Sequence, residues 1–233
     1  MNKLSKVVFT DIDGTLLKGF ITINFVEYLY KKNIFNKVQY SKQMKLMALF
    51  KDGKISFLGW LKKWASIWGE GIKGKKKKSI QYHANKFFPT FLSNIYPSSK
   101  ELINYFHEKG YVVVGVSVGV EEVDLLVKKY LGLDYLLSSS VSTKGGVYTS
   151  KVKTRLHLKN GKKLAVLSLF NKDKVNFSAC IGIGDSEFDE QFIDLMGKKI
   201  ALNPNKKFLE SIFKKNYLIS NYGSILTDIK KII

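Results

Sequence analysis

The sequence contains little cysteine, proline or histidine. Among its 233 residues are one cysteine, three prolines and three histidines. The single cysteine, Cys180, cannot form an internal disulfide, and its apolar neighbours predict a small core residue rather than a reactive thiol. His83, His107 and His157 lack the spacing of metal ligands. These shortages exclude a disulfide-stabilised fold and a zinc site built from histidine and cysteine.

Long apolar runs are also missing. No run approaches the ~18 residues that a membrane-spanning helix needs. A hydrophobic fraction of 45% and a mean hydropathy of -0.08 are typical of a water-soluble globular protein. Residues 1–6 lead directly into a strand-like segment, without the charged, apolar and small-residue regions of a secretory signal. The sequence therefore predicts a cytoplasmic location.

Acidic residues are few relative to basic ones. The chain has 39 lysine and arginine residues against 19 acidic residues, a net charge of +20, and Arg155 is its one arginine. Residues 18–100 hold 17 lysines and three acids, which amounts to +14. Such a field attracts phosphorylated metabolites, nucleic acids and anionic membranes alike. The run Lys75–Lys78 indicates a solvated loop and is weak evidence for nucleic-acid binding.

Short β-branched runs alternate with stretches of helical periodicity over most of the chain. This order predicts an α/β fold with a Rossmann-like parallel sheet. Gly110 and Gly132 stand where glycines end helices. The predicted strands are Val7–Ile12, Tyr111–Val118, Tyr135–Val141, Phe177–Ile183 and Lys199–Leu202. The predicted helices are Ser98–Lys109, Val120–Leu131, Gly161–Phe170, Ser186–Met196 and Asn205–Lys215.

Residues 18–97 depart from this alternation. They show no clear strand and read as several helices with breaks near Asp52–Gly53, Gly69–Gly74 and Pro89. We therefore expect a core domain of residues 1–17 and 98–233 and an inserted helical domain of residues 18–97. A smaller excursion around Gly145–Gly146 predicts a β-hairpin.

All three tryptophans lie in the insert at helical spacing. Trp60, Trp64 and Trp68 share one helix face. This face is predicted to form the insert's own core. The alternative is a substrate-facing or membrane-facing strip beside the neighbouring lysines, which would suit a phospholipid-derived or otherwise apolar phosphate ester.

Two pairs of acids follow predicted strands. Asp11 and Asp13 come two residues apart before Gly14 and Thr15, and residues at this spacing on an extended chain face one side. Asp185 ends another strand, and Asp189 follows one helical turn later. Since parallel strands bind ligands at their carboxyl ends, these four acids are expected to converge on Mg²⁺.

Two weaker signals lie between these acids. Ser117 ends a buried strand with a hydroxyl suited to hold a phosphate oxygen. Gly161, Lys162 and Lys163 open a helix with ammonium groups that would neutralise phosphate. Each signal has meaning only in combination with the two acid pairs.

The motifs together resemble the haloacid dehalogenase superfamily. Asp11-x-Asp13-Gly14-Thr15, Ser117, Lys162 or Lys163, and Gly184-Asp185-Ser186-x-x-Asp189 match its four motifs in order. The insert resembles a C1 cap in position and helical character. The segments after Ser117 and Asp185, including Asn203, look most like the phosphoserine-phosphatase-like branch.

The resemblance implies a Mg²⁺-dependent phosphatase acting on a small phosphate ester. Asp11 would form an aspartyl-phosphate, and Asp13 would protonate the leaving alcohol and then activate water. Lys163 is preferred to Lys162 because an apolar residue at +4 matches the family better. Phosphate binding is expected from Gly14, Thr15, Ser117, Gly119, Lys163 and Asn203. Metal binding is expected from Asp11, Asp13 through its backbone carbonyl, Asp185 and, as an orienting residue, Asp189.

Departures from the family pattern leave the substrate open. Leu17–Phe25 contains no acid that would hold an amino group, Arg155 lies outside the insert, and Val118 stands where a smaller residue is commoner. The first two departures argue against phosphoserine itself.

Several functions therefore stay open besides hydrolysis of phosphoserine. The substrate could be a phospholipid-derived phosphate, or the enzyme could be a phosphomutase or phosphotransferase that uses the same aspartyl-phosphate. A function of a different class is a basic membrane-binding or nucleic-acid-binding module on a hydrolase core. Weak contact with an anionic membrane surface is a hypothesis, and nucleic-acid binding is not expected.

Overall fold

The computed structural model describes residues 6–169 and 175–233, and their centre is a six-stranded parallel sheet. The strands lie in the order β3-β2-β1-β6-β7-β8. Their bounds are Val7–Thr10 (β1), Val112–Val120 (β2), Tyr135–Ser139 (β3), Ile181–Gly184 (β6), Lys198–Leu202 (β7) and Leu218–Ser220 (β8). This architecture confirms the predicted α/β fold.

Strand β1 occupies the middle of the sheet. Thr10 is in register with Gly115 of β2 on one side and with Ile183 of β6 on the other. The chain runs outward from β1 through β2 and β3, and then returns to the opposite side of β1 to form β6. The carboxyl ends of β1 and β6 therefore flank the point where strand order reverses, which is where open α/β sheets bind ligands.

Alternate residues of β1 pack on opposite faces of the sheet. Val8 belongs to one buried apolar cluster, whereas Val7 and Phe9 belong to the other. Helices cover both faces. They are α5 (Pro97–Glu108), α6 (Glu121–Leu131), α7 (Gly161–Leu169), α8 (Glu190–Ile193), α9 (Lys206–Ile212) and α10 (Ile225–Lys230).

The sequence located the turns better than some of the helices. Gly110 and Gly132 follow α5 and α6 with φ of 75° and 84°, which confirms their predicted role. The helix predicted over Ser186–Met196 is wrong in extent, because only Glu190–Ile193 is α-helical. Cys180 is buried as expected, but β6 begins after it, because Phe177–Ala179 forms a 3₁₀ turn.

Residues 18–97, all of which the structure describes, form four α-helices and no strand. The helices are α1 (Ile21–Lys31), α2 (Lys37–Lys51), α3 (Phe57–Ile72) and α4 (Lys77–Phe91). The break predicted near Gly69–Gly74 is present but begins later, at residues 73–76, because Gly69 and Gly71 lie inside α3. The break predicted near Pro89 is wrong, because Pro89 lies inside α4. The treatment of these helices as a separate domain stays a prediction.

The predicted hairpin is confirmed and packs on the insert. Strands β4 (Val141–Lys144) and β5 (Val147–Val152) are antiparallel. Tyr148 joins the hairpin to the α3–α4 connection, because its backbone N–H donates to the Lys75 carbonyl and its own carbonyl accepts from the Gly74 N–H, each at 2.9 Å. Its hydroxyl donates to the buried carboxylate of Glu122 in α6. The hairpin thus links the insert to the core.

The tryptophan face of α3 is interior. Trp60, Trp64 and Trp68 are each at most 3% exposed, so the prediction of an internal core is confirmed. The alternative that this face is an exposed membrane-binding strip is wrong. Among the described residues, no helix combines the length and apolarity that a membrane span requires.

Candidate active site

The loop after β1 carries the first pair of acids. The Asp11 backbone N–H donates to the Ile183 carbonyl at 2.9 Å, which continues the sheet, and the chain then turns at Gly14 with φ of 89°. A Cβ atom at Gly14 would lie 2.5 Å from Oδ2 of Asp185. Glycine is therefore required here both for the backbone conformation and for the approach of the second acidic loop.

The loop after β6 is organised by Asp189. Its Oδ2 accepts from the Ser186 hydroxyl at 2.6 Å, from the Ser186 N–H at 3.1 Å and from the Asp185 N–H at 3.3 Å. A Cβ atom at Gly184 would lie 2.5 Å from Cβ of Asp189, so the glycine makes room for this acid. Asp189 is fully buried and fixes Asp185 toward the first loop.

Three acids meet between these loops. Oxygens of Asp11, Asp185 and Asp189 all lie within 4.8 Å of one another. The Thr15 hydroxyl lies 3.2 Å from Oδ2 of Asp11 and 3.0 Å from Oδ1 of Asp185, and its one proton serves one of them at a time. Oxygen-rich, carboxylate-lined sites of this kind suit Mg²⁺ or a similar hard cation.

Ionisation of the carboxyl groups in this cluster is unfavourable. Burial, reinforced by the carboxylate of Asp189, raises the pKa of Asp11 to about 7. Burial, with Asp189 and Asp11 as neighbours, raises the pKa of Asp185 to about 8. A bound cation would offset this repulsion and lower both pKa values. The donor set of the cluster therefore fits a divalent metal ion.

The side chain of Asp13 is not part of this three-acid cluster, although it lines the same cavity. Its Oδ1 accepts the backbone N–H of Ile21, the first residue of α1, at 3.0 Å. The prediction that four carboxylates converge is therefore wrong for the side chain of Asp13. Burial raises the pKa of Asp13 to about 7, and the Ile21 N–H opposes that rise. A carboxyl group with this pKa exchanges a proton near neutral pH, as a general acid and base must.

The lysine of the site is Lys162, and the preference for Lys163 is wrong. Lys162 donates from Nζ to Oδ1 of Asp11, and to Oδ1 of Asp189 at 2.6 Å. It is buried together with Val166 one turn later, whereas Lys163 lies on the outer side of α7 and outside the cavity. The apolar residue at +4 that marks the inward face is Val166.

Lys162 stays a cation in this setting. Burial by itself lowers the pKa of its ammonium group, but Asp11 and Asp189 outweigh burial and raise it. Its Nζ also lies 5.7 Å from the ring centroid of Phe188. The positive charge is therefore held directly beside the carboxylate of Asp11.

Ser117 and Gly119 lie where β2 ends, as predicted. The buried Ser117 hydroxyl accepts the Gly119 N–H at 2.8 Å. A Cβ atom at Gly119 would lie 2.9 Å from this hydroxyl and 2.8 Å from Oδ2 of Asp124. Nothing in the sequence pattern singled out Asp124. Burial, together with the carboxylate of Asp13, raises the pKa of Asp124 well above its ordinary value.

Asn203 does not reach the cavity. It is exposed and lies in a separate depression beside Tyr96 and Tyr222. Its predicted role in phosphate binding is not supported by this placement. Asn205, two residues later, does line the cavity, and its amide donates to Oε2 of Glu187 at 3.1 Å.

A cavity of about 760 Å³ opens over the site. The core contributes polar groups to it, and the helical insert contributes mainly apolar ones. The core residues nearest the acids are Asp11, Asp13, Gly14, Ser117, Lys162, Asp185 and Ser186. The insert residues are Gly19, Phe20, Phe50, Gly53, Ile55, Ser56 and Phe57. The carboxylates of Asp11 and Asp13, the ammonium of Lys162 and the three-acid cluster thus lie at one end of this cavity.

Comparison with known proteins is consistent with this arrangement. A family model described as haloacid dehalogenase-like hydrolase matches residues 5–197. The phosphoserine phosphatase of Methanocaldococcus jannaschii is 26% identical over 201 residues, which cover 86% of this chain and 87% of that protein. A phosphoserine phosphatase of Mycobacterium tuberculosis is 20% identical over 224 residues, 94% of this chain and 71% of that protein.

Solved structures share the fold. A protein of unknown function from Bordetella pertussis superimposes with a TM-score of 0.79 at 13% identity, covering 95% of this chain and all of that one. A phosphoserine phosphatase, solved as a phospho-aspartyl intermediate analogue, superimposes with a TM-score of 0.66 at 22% identity, and both chains are fully covered. At these identities the similarity concerns the fold.

Proposed function

Because the chain belongs to the haloacid dehalogenase-like hydrolases, we propose that it hydrolyses a phosphate monoester through a phosphoryl group carried on Asp11. The observation that carries this proposal is the setting of Asp11. Its carboxylate is buried at the end of β1, beside the ammonium of Lys162 and within reach of the Thr15 hydroxyl. A nucleophile fixed in this way is aligned before the substrate arrives.

A divalent cation, in our proposal Mg²⁺, would be held by Asp11 and Asp185. Both oxygens of Asp189 are already engaged, one by Lys162 and the other by Ser186. We therefore propose that Asp189 orients Asp185 and Lys162 and does not itself bind the cation. When bound, the cation would supply positive charge to the phosphate oxygens.

The first half of the reaction transfers the phosphoryl group. An oxygen of Asp11 attacks phosphorus, a new O–P bond forms, and the ester P–O bond breaks. The carboxyl group of Asp13 gives its proton to the departing oxygen, which leaves as the alcohol. Lys162 and the Ser117 hydroxyl are placed to bind phosphate oxygens during the transfer.

The second half returns the enzyme to its starting state. The carboxylate of Asp13 accepts a proton from water as the water oxygen attacks phosphorus. The bond between phosphorus and Asp11 breaks, and inorganic phosphate leaves. Asp13 is then protonated and Asp11 is free, so protons and charge balance over the cycle. We also propose that residues 18–97 act as a cap that limits the access of water to this site.

Phosphate release from a panel of monoesters tests the proposal. The panel contains phosphoserine, sugar phosphates, nucleotides and alkyl phosphates, each with and without Mg²⁺. Wild-type protein is expected to release phosphate only when the cation is present, and Asp11→Asn is expected to be inactive. Asp52 lies at the exposed end of α2, so Asp52→Asn is the control and is expected to match the wild type. Activity that survives in Asp11→Asn would contradict the assignment of the nucleophile.

A further inference from the structure

One side of the cavity is built from phenyl rings. Phe20, Phe50 and Phe57, here called the aromatic wall, are half-buried and line the cavity. Phe57 lies 6.4 Å from Phe20 and 5.8 Å from Phe50 between ring centroids. Behind them the buried Trp60 contacts all three, at 5.6 to 5.8 Å. The wall is therefore backed by the interior of the insert.

The aromatic wall is continuous with the core side of the site. Phe57 meets Phe188 edge to face, with ring centroids 5.5 Å apart. Phe188 lies three residues after Asp185 and beside the ammonium of Lys162. An unbroken apolar surface thus runs from the phosphate end of the cavity to the insert.

The side of the cavity that the insert forms has no charged side chain. Residues 18–100 contain 17 lysines, yet none of the seven insert residues that line the cavity is charged. Apart from the groups that surround Asp11, the charged lining residues within the described part of the chain are Glu187, Lys206 and Lys207, all from the core. Glu187 already accepts from Asn205, and the Lys206 side chain is 91% exposed beside Glu210.

We infer that the substrate is a phosphate monoester of an uncharged, apolar alcohol. The inference rests on the proposed function, because the phosphate must lie at Asp11 for the leaving group to lie along the aromatic wall. There, alkyl or aryl surface would leave water for contact with phenyl rings. The ammonium and carboxylate of phosphoserine would lose hydration against the same rings, where the insert offers no charged partner.

A homologous series of substrates tests this inference. We compare kcat/KM for ethyl, butyl and hexyl phosphate, below their aggregation concentrations, with kcat/KM for phosphoserine. The value is expected to rise about fourfold for each methylene group that the wall buries. The kcat/KM for phosphoserine is expected to be lower than that for butyl phosphate by about tenfold or more.

Variants of the wall separate its role from that of the catalytic groups. Phe57→Ala is expected to remove most of the rise in kcat/KM from ethyl to hexyl phosphate. Ile55→Asn, in the α2–α3 connection, gives the same test if Phe57→Ala does not fold. Phe213→Ala is the matched control, since this side chain is 84% exposed and lies outside the cavity.

The inference and the proposed function fail in different ways. If phosphoserine is preferred, or if kcat/KM is independent of chain length, the inference is wrong while the chemistry at Asp11 stands. If no ester is turned over, the proposed function is wrong. Calorimetric binding of hexyl phosphate and phosphoserine to Asp11→Asn then decides the inference alone, and equal or weaker binding of hexyl phosphate overturns it.

Discussion

At the scale of single residues, the two adjacent lysines of α7 give the clearest test of the site. Lys162 lies against Asp11 and Asp189, whereas Lys163 is outside the cavity. Lys162→Met is expected to lower kcat by about 100- to 1000-fold, because a preorganised cation beside the transferring phosphoryl group is lost. Lys163→Met is expected to stay near wild type. A larger effect of Lys163→Met in steady-state assays would reverse this assignment.

The buried acids predict how stability changes with pH. Asp11 and Asp185 have folded-state pKa values of about 7 and 8, above the 3.8 of an unperturbed aspartate. These two carboxyl groups bind protons more tightly in the folded chain than in the unfolded chain. Their contribution to metal-free stability is therefore greatest at low pH and falls until pH passes about 8. The lowered pKa values of His83 and His157 act in the opposite direction below pH 6.5.

Thermal unfolding between about pH 6.5 and pH 8 measures this effect. Without metal, the Tm of the wild type is expected to fall across this range, and Asp185→Asn is expected to reduce the slope. Saturating Mg²⁺ should stabilise the wild type most at the alkaline end, by about 2.7 kcal/mol at a hundred times its Kd. Equal slopes for wild type and Asp185→Asn would contradict the charge repulsion described for the cluster.

Most site residues were readable from the sequence because their signals are local. Asp11, Asp13 and Asp185 each follow an apolar strand and stand close to a glycine. To choose Lys162 over Lys163, one must know which side of α7 faces the core. Two adjacent lysines in a sequence do not reveal this. Asp124 lies on the first turn of α6, and its relation to Ser117 depends on how that helix packs.

At the scale of secondary-structure elements, the start of α1 bears directly on Asp13. The N–H of Ile21 donates to Asp13 and lowers its pKa against the effect of burial. Ile21→Pro removes this donor at a first helical position, which tolerates proline. We expect a lower kcat and an alkaline limb of the kcat/KM profile shifted to higher pH.

Ile21→Ala is the control for that experiment. It removes the buried side chain but keeps the N–H, so its pH profile should match the wild type even if stability falls. Identical profiles for Ile21→Pro and Ile21→Ala would show that the hydrogen bond does not tune Asp13.

Gly69 controls how α3 packs on the hairpin. A Cβ atom there would lie 2.3 Å from the Ser150 carbonyl oxygen. Gly69→Ala is therefore expected to destabilise the fold by about 1 to 3 kcal/mol through overpacking, despite alanine's better helix propensity. Ser66→Ala on the exposed side of α3 should change stability little. Chemical denaturation of both variants tests the contact, and a stabilising Gly69→Ala would refute it.

Element types were predicted better than their lengths. The β-branched runs gave five of the six sheet strands, but the short β8 and α10 near the end of the chain were missed. Glycines in α3 were interpreted as a break, although Gly69 and Gly71 serve close packing against Ser150 and Phe35. Sequence alone does not distinguish a glycine that ends a helix from one that admits a neighbour.

At the scale of the whole molecule, charge and aromatic surface are separated. The lysines of the insert face solvent or its periphery, whereas Phe20, Phe50 and Phe57 line the cavity and the tryptophans lie in the interior of the insert. Alternation of strands and helices predicted the parallel sheet, and the interruption at 18–97 predicted the helical insert. Which face of the insert lines the cavity depended on its packing over the sheet.

The central claim is that Asp11 carries the phosphoryl group. The most direct measurement is rapid acid quench during turnover, followed by mass spectrometry of the peptide that contains Asp11. We predict one added phosphoryl group on Asp11 in the wild type and none in Asp11→Asn. Phosphate release by the wild type with no phosphorylated Asp11 peptide at any quench time would contradict this claim.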